Sequence, residues 1–313
     1  MPWIIAFPRP LLEQLLDQRV GDALTFVVPG GCNLRCPFCL ITQRGETKSG
    51  ETVLSPPMYA KFIRGAAQER HVACVSIQGE EPLLPESLVY TYEILNTAKE
   101  LGIPSSIVTN GTYLASEASR LNETGVRLVC ISIDSDKPEI HDKLRGKEGA
   151  FMATQEGLFV AKTILGDGRL LVSSVLLPGH ADYLINMPQY LSKYGITRWC
   201  IDPYIRIPAR GYGGPVINAG VASALNVLAA EADRHGVNAV VCDDMNQMKE
   251  LRRGSDCLNN VTFKVLGRNV HVFRLLPDGT CVYGKEILRK HFPSAPKWGP
   301  VMDVGKFLQT IVP

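Results

Sequence analysis

The chain has 313 residues, of which 45% are hydrophobic and 20% are charged. That size supports one large α/β domain or two modest domains, and the composition excludes a disordered or fibrous protein. The 33 Lys and Arg residues against 31 Asp and Glu residues leave a net charge of +2, which lacks the basic excess of proteins that bind nucleic acid or anionic membranes.

The nine cysteines are an odd number, and the opening residues MPWIIAFPRP lack the features of a secretory signal peptide. This favours thiolate or metal chemistry in a reducing cytoplasm over a disulfide scaffold. No stretch approaches the roughly 20 apolar residues that a membrane-spanning helix needs. We therefore expect a cytoplasmic protein with neither a membrane nor a nucleic-acid partner, and the sequence does not indicate an oligomeric state.

Short β-branched runs alternate with helical patterns from residue 23 onward, which is typical of βα units around a parallel sheet. Strands are predicted at 23–28, 72–78, 104–109, 126–133, 170–177 and 197–203. Helices are predicted at 56–70, 86–101, 113–123, 148–165, 182–194 and 218–235. Six such units favour a partial or full barrel over a short open sheet.

The alternation of strand and helix patterns ends after residue 236. A short strand is predicted at 238–242, and alternation over 260–275 and 277–284, with a Pro-Asp-Gly turn between them, indicates a hairpin. We therefore divide the chain into an N-terminal extension at 1–22, a barrel domain at 23–236 and a C-terminal extension at 237–313.

Three cysteines follow the first predicted strand with the spacing Cys-x3-Cys-x2-Cys, at Cys32, Cys36 and Cys39. Thiolates are the preferred ligands of iron–sulfur clusters, and the short spacers make the three side chains converge. A zinc ribbon would need a second close pair of ligands at a suitable distance, and none follows. The sequence thus predicts an iron–sulfur site in which the three cysteines leave one coordination position unfilled. The alternative is that the three cysteines are structural.

This loop, with Phe38 in the aromatic place before the third cysteine, resembles that of the radical S-adenosylmethionine (radical SAM) superfamily. The segment His141-Asp142-Lys143-Leu144-Arg145-Gly146 resembles the HDxxRG segment of the branch that includes the molybdenum-cofactor and SPASM or Twitch-type enzymes. The resemblance implies an α/β fold, a partial (β/α)6 TIM-like barrel with a small C-terminal α+β extension. It also implies that Cys32, Cys36 and Cys39 hold a [4Fe–4S] cluster whose fourth iron binds S-adenosylmethionine (SAM). An electron donor such as flavodoxin or ferredoxin is implied as a partner.

Further motifs are similar to those of this family, in the same order. Gly79-Glu80-Glu81-Pro82 stands at the place of the family's GGEP turn, which receives the methionine amino group, although Glu80 replaces the second glycine. The resemblance implies these SAM-binding residues: Phe38, Gly79, Glu80, Glu81, Pro82, Asn110, Ser132, Asp134 and Arg145. Taken singly, the same motifs also fit a βα turn with acids at a helix N-terminus, polar strand ends and a packing segment.

Side chains alternate between the two faces of a strand, so polar residues two apart share one face. We expect these faces to look into the barrel and to bind a polar substrate such as a sugar, amino sugar, nucleoside or amino-acid derivative. The residues are Cys74, Ser76, Gln78 and Glu80, then Cys130, Ser132 and Asp134, then Arg198, Cys200, Asp202 and Tyr204.

The mid-strand thiols of Cys74, Cys130 and Cys200 are expected to be packing residues. The three later cysteines leave alternatives open. They can hold a second [4Fe–4S] cluster, or Cys281 or Cys257 can be a catalytic hydrogen-atom donor, or they are ordinary loop thiols. These residues are Cys242, Cys257 and Cys281.

The leading hypothesis is a radical SAM enzyme of oxidoreductase or isomerase type that takes a hydrogen atom from a small polar metabolite in a specialised biosynthetic pathway. Epimerisation and dehydrogenation are the leading outcomes. The alternatives are an enzyme that modifies a peptide or protein, an activating enzyme that makes a glycyl radical on a partner, and an iron–sulfur sensor or scaffold without turnover. The substrate cannot be named from sequence, because specificity lies in rim loops such as 206–216.

Overall fold

The computed structural model describes residues 22–39, 53–69, 71–177, 179–204, 219–241, 271–275, 277, 280–284 and 301–303. Its strands are β1 (Asp22–Phe26), β2 (Val72–Ile77), β3 (Ser105–Thr109), β4 (Leu128–Ser132), β5 (Leu170–Leu176), β6 (Arg198–Pro203), β7 (Asn238–Val241), β8 (His271–Leu275), β9 (Thr280–Gly284) and β10 (Val301–Asp303). Its α-helices are α1 (Pro56–Glu69), α2 (Leu88–Glu100), α3 (Leu114–Thr124), α4 (Pro138–Arg145), α5 (Ala150–Leu165), α6 (Met187–Lys193) and α7 (Ala219–Arg234).

Strands β1 to β7 lie side by side in chain order, and each is parallel to its neighbours. The predicted α/β class and the predicted βα rhythm are therefore confirmed. Such an order places every strand-to-helix connection at one edge of the sheet, because the carboxyl ends of parallel strands point the same way. The cysteine loop and the predicted turns after β2, β3 and β4 lie at that edge.

The C-terminal strands extend the same sheet beyond β1, which the sequence pattern did not predict. Strand β8 pairs in parallel with β1, with Phe273 opposite Leu24. Strand β9 pairs antiparallel with β8, with Cys281 opposite Leu275, and β10 pairs antiparallel with β9. Strands β8 and β9 form the antiparallel pair that the predicted hairpin requires, whereas residues 276, 278 and 279 of its turn and the 260–270 part of that prediction lie outside the described residues.

A layer of helices covers one face of the sheet, and the side chains sort between the two faces as the alternation predicts. Val75 and Ile77 of β2 belong to the hydrophobic core with residues of the helices. Phe26, the last residue of β1, meets Tyr59 and Phe62 of α1 edge to face, with ring centroids 5.9 Å apart in both pairs. This contact fixes the end of β1 immediately before the cysteine loop.

The opposite face carries small and polar groups, as expected. The Ser106 hydroxyl donates to the Ser76 hydroxyl at 2.9 Å, between neighbouring strands. Cys74, Cys130 and Cys200 are buried and form no disulfide with another described residue, in agreement with a packing role. Burial raises the pKa of Cys74 to about 12, so its thiol stays protonated.

Arg198, which was predicted to look into the barrel with Asp202, lies at the other end of its strand from that residue. Arg198 is the first residue of β6, and its guanidinium donates to the backbone oxygens of Asp167 and Gly168, which precede β5. It therefore lies at the amino end of the strands, far along β6 from Asp202. Alternation predicts which face a side chain occupies but not its level along the strand.

Helix α4 is absent from the sequence prediction. It is eight residues long, begins with Pro138 at its first turn and ends at Gly146 with φ +65°. Proline suits the first turn and glycine suits the left-handed end of a helix. No helix among the described residues is long and apolar enough to span a membrane.

Helices α3 and α5 approach each other closely at Gly157. A Cβ atom at this position would lie 2.5 Å from the Gly111 carbonyl oxygen and 2.9 Å from the Leu114 Cβ. The Thr154 hydroxyl, one turn earlier, donates to the Asn110 carbonyl at 2.8 Å. Helix α5 thus supports the turn after β3, which belongs to the functional site.

The substitution Gly157→Ala is expected to lower the free energy of unfolding by about 1–3 kcal/mol, because the new methyl group overpacks the helix contact. Gly168→Ala is the matched control, since nothing lies within 4 Å of a Cβ there, and its effect should stay within about 0.5 kcal/mol. Denaturant unfolding of both variants measures the difference. Equal stabilities would show that the close approach is not a packing constraint.

Candidate functional site

The cysteine loop follows β1 at the carboxyl edge of the sheet. Cys32, Cys36 and Cys39 are half-exposed and free. The loop begins at Gly30, with φ +128°, where a Cβ atom would collide with the Ser87 hydroxyl. It then forms a tight turn in which the Cys39 amide donates to the Cys36 carbonyl at 3.1 Å.

Glu81, in the turn after β2, joins the ends of two strands. Its carboxylate accepts hydrogen bonds from the Thr109 hydroxyl at 2.6 Å, the Asn110 amide at 2.7 Å and the Leu83 amide at 3.1 Å. Burial raises the pKa of Glu81 to about 7, and the hydrogen bonds oppose that rise. The Glu81 carboxylate of this motif is therefore already hydrogen-bonded to other groups of the protein.

Glu80, the residue that departs from the family's motif, is placed differently. Its carboxylate is half-buried and lies 3.5 Å from the position that a Cβ atom would occupy on Gly31. Burial raises the pKa of Glu80, and the positive charge of Arg35 opposes that rise. Gly79, before it, has φ +124°, which only glycine adopts readily. The turn therefore presents one carboxylate to the start of the cysteine loop.

Asn110, after β3, connects this turn to the cysteines. Its side-chain amide donates to the Asn33 side-chain oxygen at 2.9 Å and contacts the Cys32 sulfur at 3.8 Å. Its side-chain oxygen accepts from the amide and the hydroxyl of Thr112. The orientation of the Asn110 side chain is therefore fixed, with an N–H directed at Cys32.

Asp134, after β4, is fully buried and ion-paired. Its Oδ2 lies 2.7 Å from the Arg145 Nη2, and its Oδ1 accepts from the Val175 amide at 2.9 Å. Burial raises the pKa of Asp134 and the Arg145 charge opposes it. The Asp134 amide donates to the Nδ1 of His141 at 3.2 Å. Burial and the Arg145 charge lower the pKa of His141 to about 3, so this imidazole is neutral.

His141 lay within the HDxxRG-like segment of the sequence but was not predicted as a site residue. Its buried Nε2 has no hydrogen-bond partner among the described residues, nor has the Nε of Arg145. Phe38, which was predicted, is buried with its ring 5.6 Å from the Arg145 Cζ. Arg145 thus lies between the Phe38 ring and the Cys36 sulfur, with contacts to both.

The other predicted residues have definite places. Pro82 follows Glu81 and its carbonyl accepts from the Thr91 hydroxyl at 2.7 Å. Ser132 is the last residue of β4 and is half-buried. Cys281 lies on β9, two strands from β1 in the sheet. Cys242 and Cys257 lie outside the described residues, as does the 206–216 loop.

The three thiols and the groups around them fit an iron–sulfur cluster. Within the described ranges, no three His, Cys, Asp or Glu residues are close enough to hold one metal ion. A cluster does not need that closeness, because each cysteine binds a different iron. Burial raises the pKa of Cys32 to about 11, and the Leu34 amide, 3.4 Å from its sulfur, opposes this. The all-thiol donor set and the N–H groups directed at it suit an anionic cluster.

Comparisons with known proteins agree with this site. The family model for the radical SAM superfamily matches residues 26–182. The chain is 32% identical to the GTP 3′,8-cyclase of Limosilactobacillus fermentum, over 59% of this chain and 56% of that protein. It is 29% identical to the AdoMet-dependent heme synthase of Oleidesulfovibrio alaskensis, over 63% of this chain and 49% of that protein. The chain thus matches about half the length of these curated relatives.

Solved structures show the fold. The structure of anSMEcpe with bound AdoMet has a TM-score of 0.63 at 16% identity, covering 93% of this chain and 76% of that one. Streptococcus suis SuiB bound to S-adenosylmethionine has a TM-score of 0.60 at 14% identity, covering 92% of this chain and 65% of that one. The predicted partial TIM-like barrel is confirmed. The family match, carried by the loop of Cys32, Cys36 and Cys39, shows that this chain belongs to the radical SAM superfamily, whose cofactors are a [4Fe–4S] cluster and SAM.

Proposed function

We propose that this chain is an enzyme that cleaves SAM reductively at a [4Fe–4S] cluster and removes a hydrogen atom from a small polar metabolite. The observation that supports this best is the convergence of four groups at one sheet edge. They are the cysteine loop, the Glu80-Glu81 turn, Asn110, and the pair of Asp134 and Arg145. When bound, the cluster and SAM supply an electron and a 5′-deoxyadenosyl radical.

In this proposal Cys32, Cys36 and Cys39 hold the cluster through their thiolates. Their loop is held on two sides, because Asn110 contacts the Cys32 sulfur at 3.8 Å and Arg145 contacts the Cys36 sulfur at 3.9 Å. Burial raises the pKa of Cys32 and of Cys36, and iron binds thiolates, so assembly of the cluster releases protons. The half-exposed thiols remain reachable from the mouth of the barrel.

Glu80 is proposed as the acceptor for the methionine ammonium group of SAM. The Glu81 carboxylate already accepts three hydrogen bonds and holds the turn in place. Among the described residues, nothing donates a hydrogen bond to the Glu80 carboxylate, which is half-buried and lies beside Gly31 at the start of the cysteine loop. A partly desolvated carboxylate pairs well with an ammonium group.

Arg145, held in place by Asp134, is proposed to bind the carboxylate end of the methionine moiety, together with Ser132. The Arg145 Nε is buried and has no hydrogen-bond partner among the described residues. A buried, unpaired N–H is costly, so a bound carboxylate would complete its bonding. Four further residues would complete the SAM site by shape and hydrogen bonding: Phe38, Gly79, Pro82 and Asn110.

The substrate is proposed to be polar, because the face of the sheet toward the mouth carries hydroxyl and carboxyl groups. The Ser173 hydroxyl donates to the Asp202 carboxylate across β5 and β6, and Ser76 and Ser106 lie on neighbouring strands. Epimerisation or dehydrogenation remains the proposed outcome. A peptide substrate is the alternative, and the fold alone does not favour it, since related folds act on different substrates.

Reductive cleavage of SAM is the first test. Anaerobically reconstituted and reduced protein should release 5′-deoxyadenosine from SAM, measured by chromatography. Cys36→Ala should lower release to the level of iron-free protein, because one cluster ligand is lost. Cys74→Ala is the matched control: it removes a buried thiol away from the loop and should retain cleavage. A wild-type protein that assembles the cluster but releases no 5′-deoxyadenosine would support the sensor alternative instead.

The role of Glu80 is tested by SAM binding. Glu80→Gln should weaken the affinity for SAM about tenfold, because a charged contact is lost. It should leave the affinity for an analogue without the amino group unchanged. Glu86→Gln, an exposed residue of the same connection, is the control and should bind both ligands as wild type does. Equal losses for SAM and for the analogue would reject the ammonium assignment.

The iron content tests the role of the later cysteines. We propose a single cluster, so the reconstituted chain should hold about four irons, and Cys281→Ala and Cys257→Ala should each leave that number unchanged. If either thiol donates hydrogen, its variant should retain SAM cleavage and lose substrate turnover. About eight irons per wild-type chain would instead reveal a second cluster.

A further inference from the structure

Arg145 carries a positive charge in an unusually buried place. It is the last residue of α4 and is 8% exposed. Its only described ion pair is with Asp134, which is fully buried and anchored by the Val175 amide. A buried arginine keeps its proton, so the charge is permanent, and it is poorly screened by water.

This charge lies against one cysteine of the loop. The Arg145 Nη1 is 3.9 Å from the Cys36 sulfur, and the Arg145 carbonyl accepts from the Cys36 thiol at 3.8 Å. The same carbonyl accepts from the Arg35 amide at 2.9 Å. At Gly146 a Cβ atom would lie 2.6 Å from the Arg35 carbonyl oxygen. The end of α4 and the cysteine loop are therefore packed together, backbone against backbone.

Among the charged groups near Cys36, Arg145 has the largest electrostatic effect on its sulfur. Asp134 approaches the guanidinium through the Nη2 atom, whereas Cys36 lies beside the Nη1 atom. His141 is neutral and so contributes no charge. Arg35, on the same loop, is exposed and directs its guanidinium to the Cys32 and Leu34 carbonyls. Its charge is screened by solvent.

We propose that Arg145, held in place by Asp134, is a positioning residue that raises the reduction potential of the cluster bound at Cys36. The inference rests on the proposed function, because it requires the cluster. Reduction adds one negative charge to a cluster, and a fixed positive charge beside a ligand sulfur stabilises the reduced form more than the oxidised form. The poorly screened site makes that preference larger than it would be at the protein surface.

A purely structural role for Arg145 makes a different prediction. If the residue only held the loop, its removal would lower the amount of cluster without changing the potential of the cluster that remains. An electrostatic role changes the potential, and the sign of the change follows the sign of the charge removed. Potential and iron content therefore separate the two roles.

The test is a redox titration of reconstituted protein without SAM, followed by electron paramagnetic resonance. At the wild-type midpoint, the ratio of reduced to oxidised cluster should fall about tenfold in Arg145→Gln, which corresponds to about 59 mV for a one-electron couple. Arg145→Lys should restore most of the ratio, because it keeps the charge. Arg35→Gln, which removes the same charge from an exposed place on the loop, should change the ratio much less.

The variant Asp134→Asn should shift the reduction potential in the opposite direction. Removing the negative charge should raise the ratio, and this variant carries the test if Arg145→Gln fails to assemble a cluster. An unchanged potential in a fully loaded Arg145→Gln protein, or shifts of the same sign in both variants, would overturn the inference. SAM is absent, so a failure of SAM cleavage leaves this test intact. A wild-type chain that assembles no cluster would contradict the proposed function as well.

Discussion

The buried ion pair between Asp134 and Arg145 is the interaction on which the geometry of the site depends. Two charges removed from water are costly unless each is paired and hydrogen-bonded. Here the carboxylate forms an ion pair with the guanidinium and accepts a hydrogen bond from the Val175 amide of β5. The guanidinium in turn lies beside Cys36. Because an unpaired partner would be strongly destabilising, the pair fixes the distance between the end of β4, helix α4 and the cysteine loop.

A second buried carboxylate fixes the opposite side of the site. Glu81 ties the turn after β2 to the end of β3 through Thr109 and the Asn110 amide. Asn110 then reaches the Cys32 sulfur. The cysteine loop is thus held from both sides by side chains that come from separate strand ends. None of these contacts is local in sequence, so the site exists only once the parallel sheet has formed.

Much of this site could be predicted from the sequence, because its strongest signals are local. The spacing of Cys32, Cys36 and Cys39 needs no knowledge of the fold, and strand alternation separated Val75 and Ile77 from Ser76. The different roles of Glu80 and Glu81 could not be predicted. Which of two adjacent acids is buried depends on the path of the turn and on Thr109, a residue 28 positions away.

The remaining differences have related physical causes. Arg198 was predicted to face the substrate because alternation carries no information about the level along a strand. The pairing of β8 with β1 joins residues far apart in the sequence, and no local pattern encodes such a contact. Helix α4 is eight residues long and mostly polar, which is shorter than the window from which apolar periodicity is read. It is nevertheless the element that places Arg145 beside Cys36.

The central claim is that the loop of Cys32, Cys36 and Cys39 and the strand ends around it form one SAM site on a cluster with an open corner. Electron-nuclear double resonance of the reduced protein, with SAM labelled at the methionine nitrogen and carboxyl carbon, tests this most directly. Direct binding of the methionine moiety to the cluster predicts hyperfine coupling from both labels in the wild-type chain. A cluster signal that shows no coupling to either label, with SAM at saturating concentration, would contradict it.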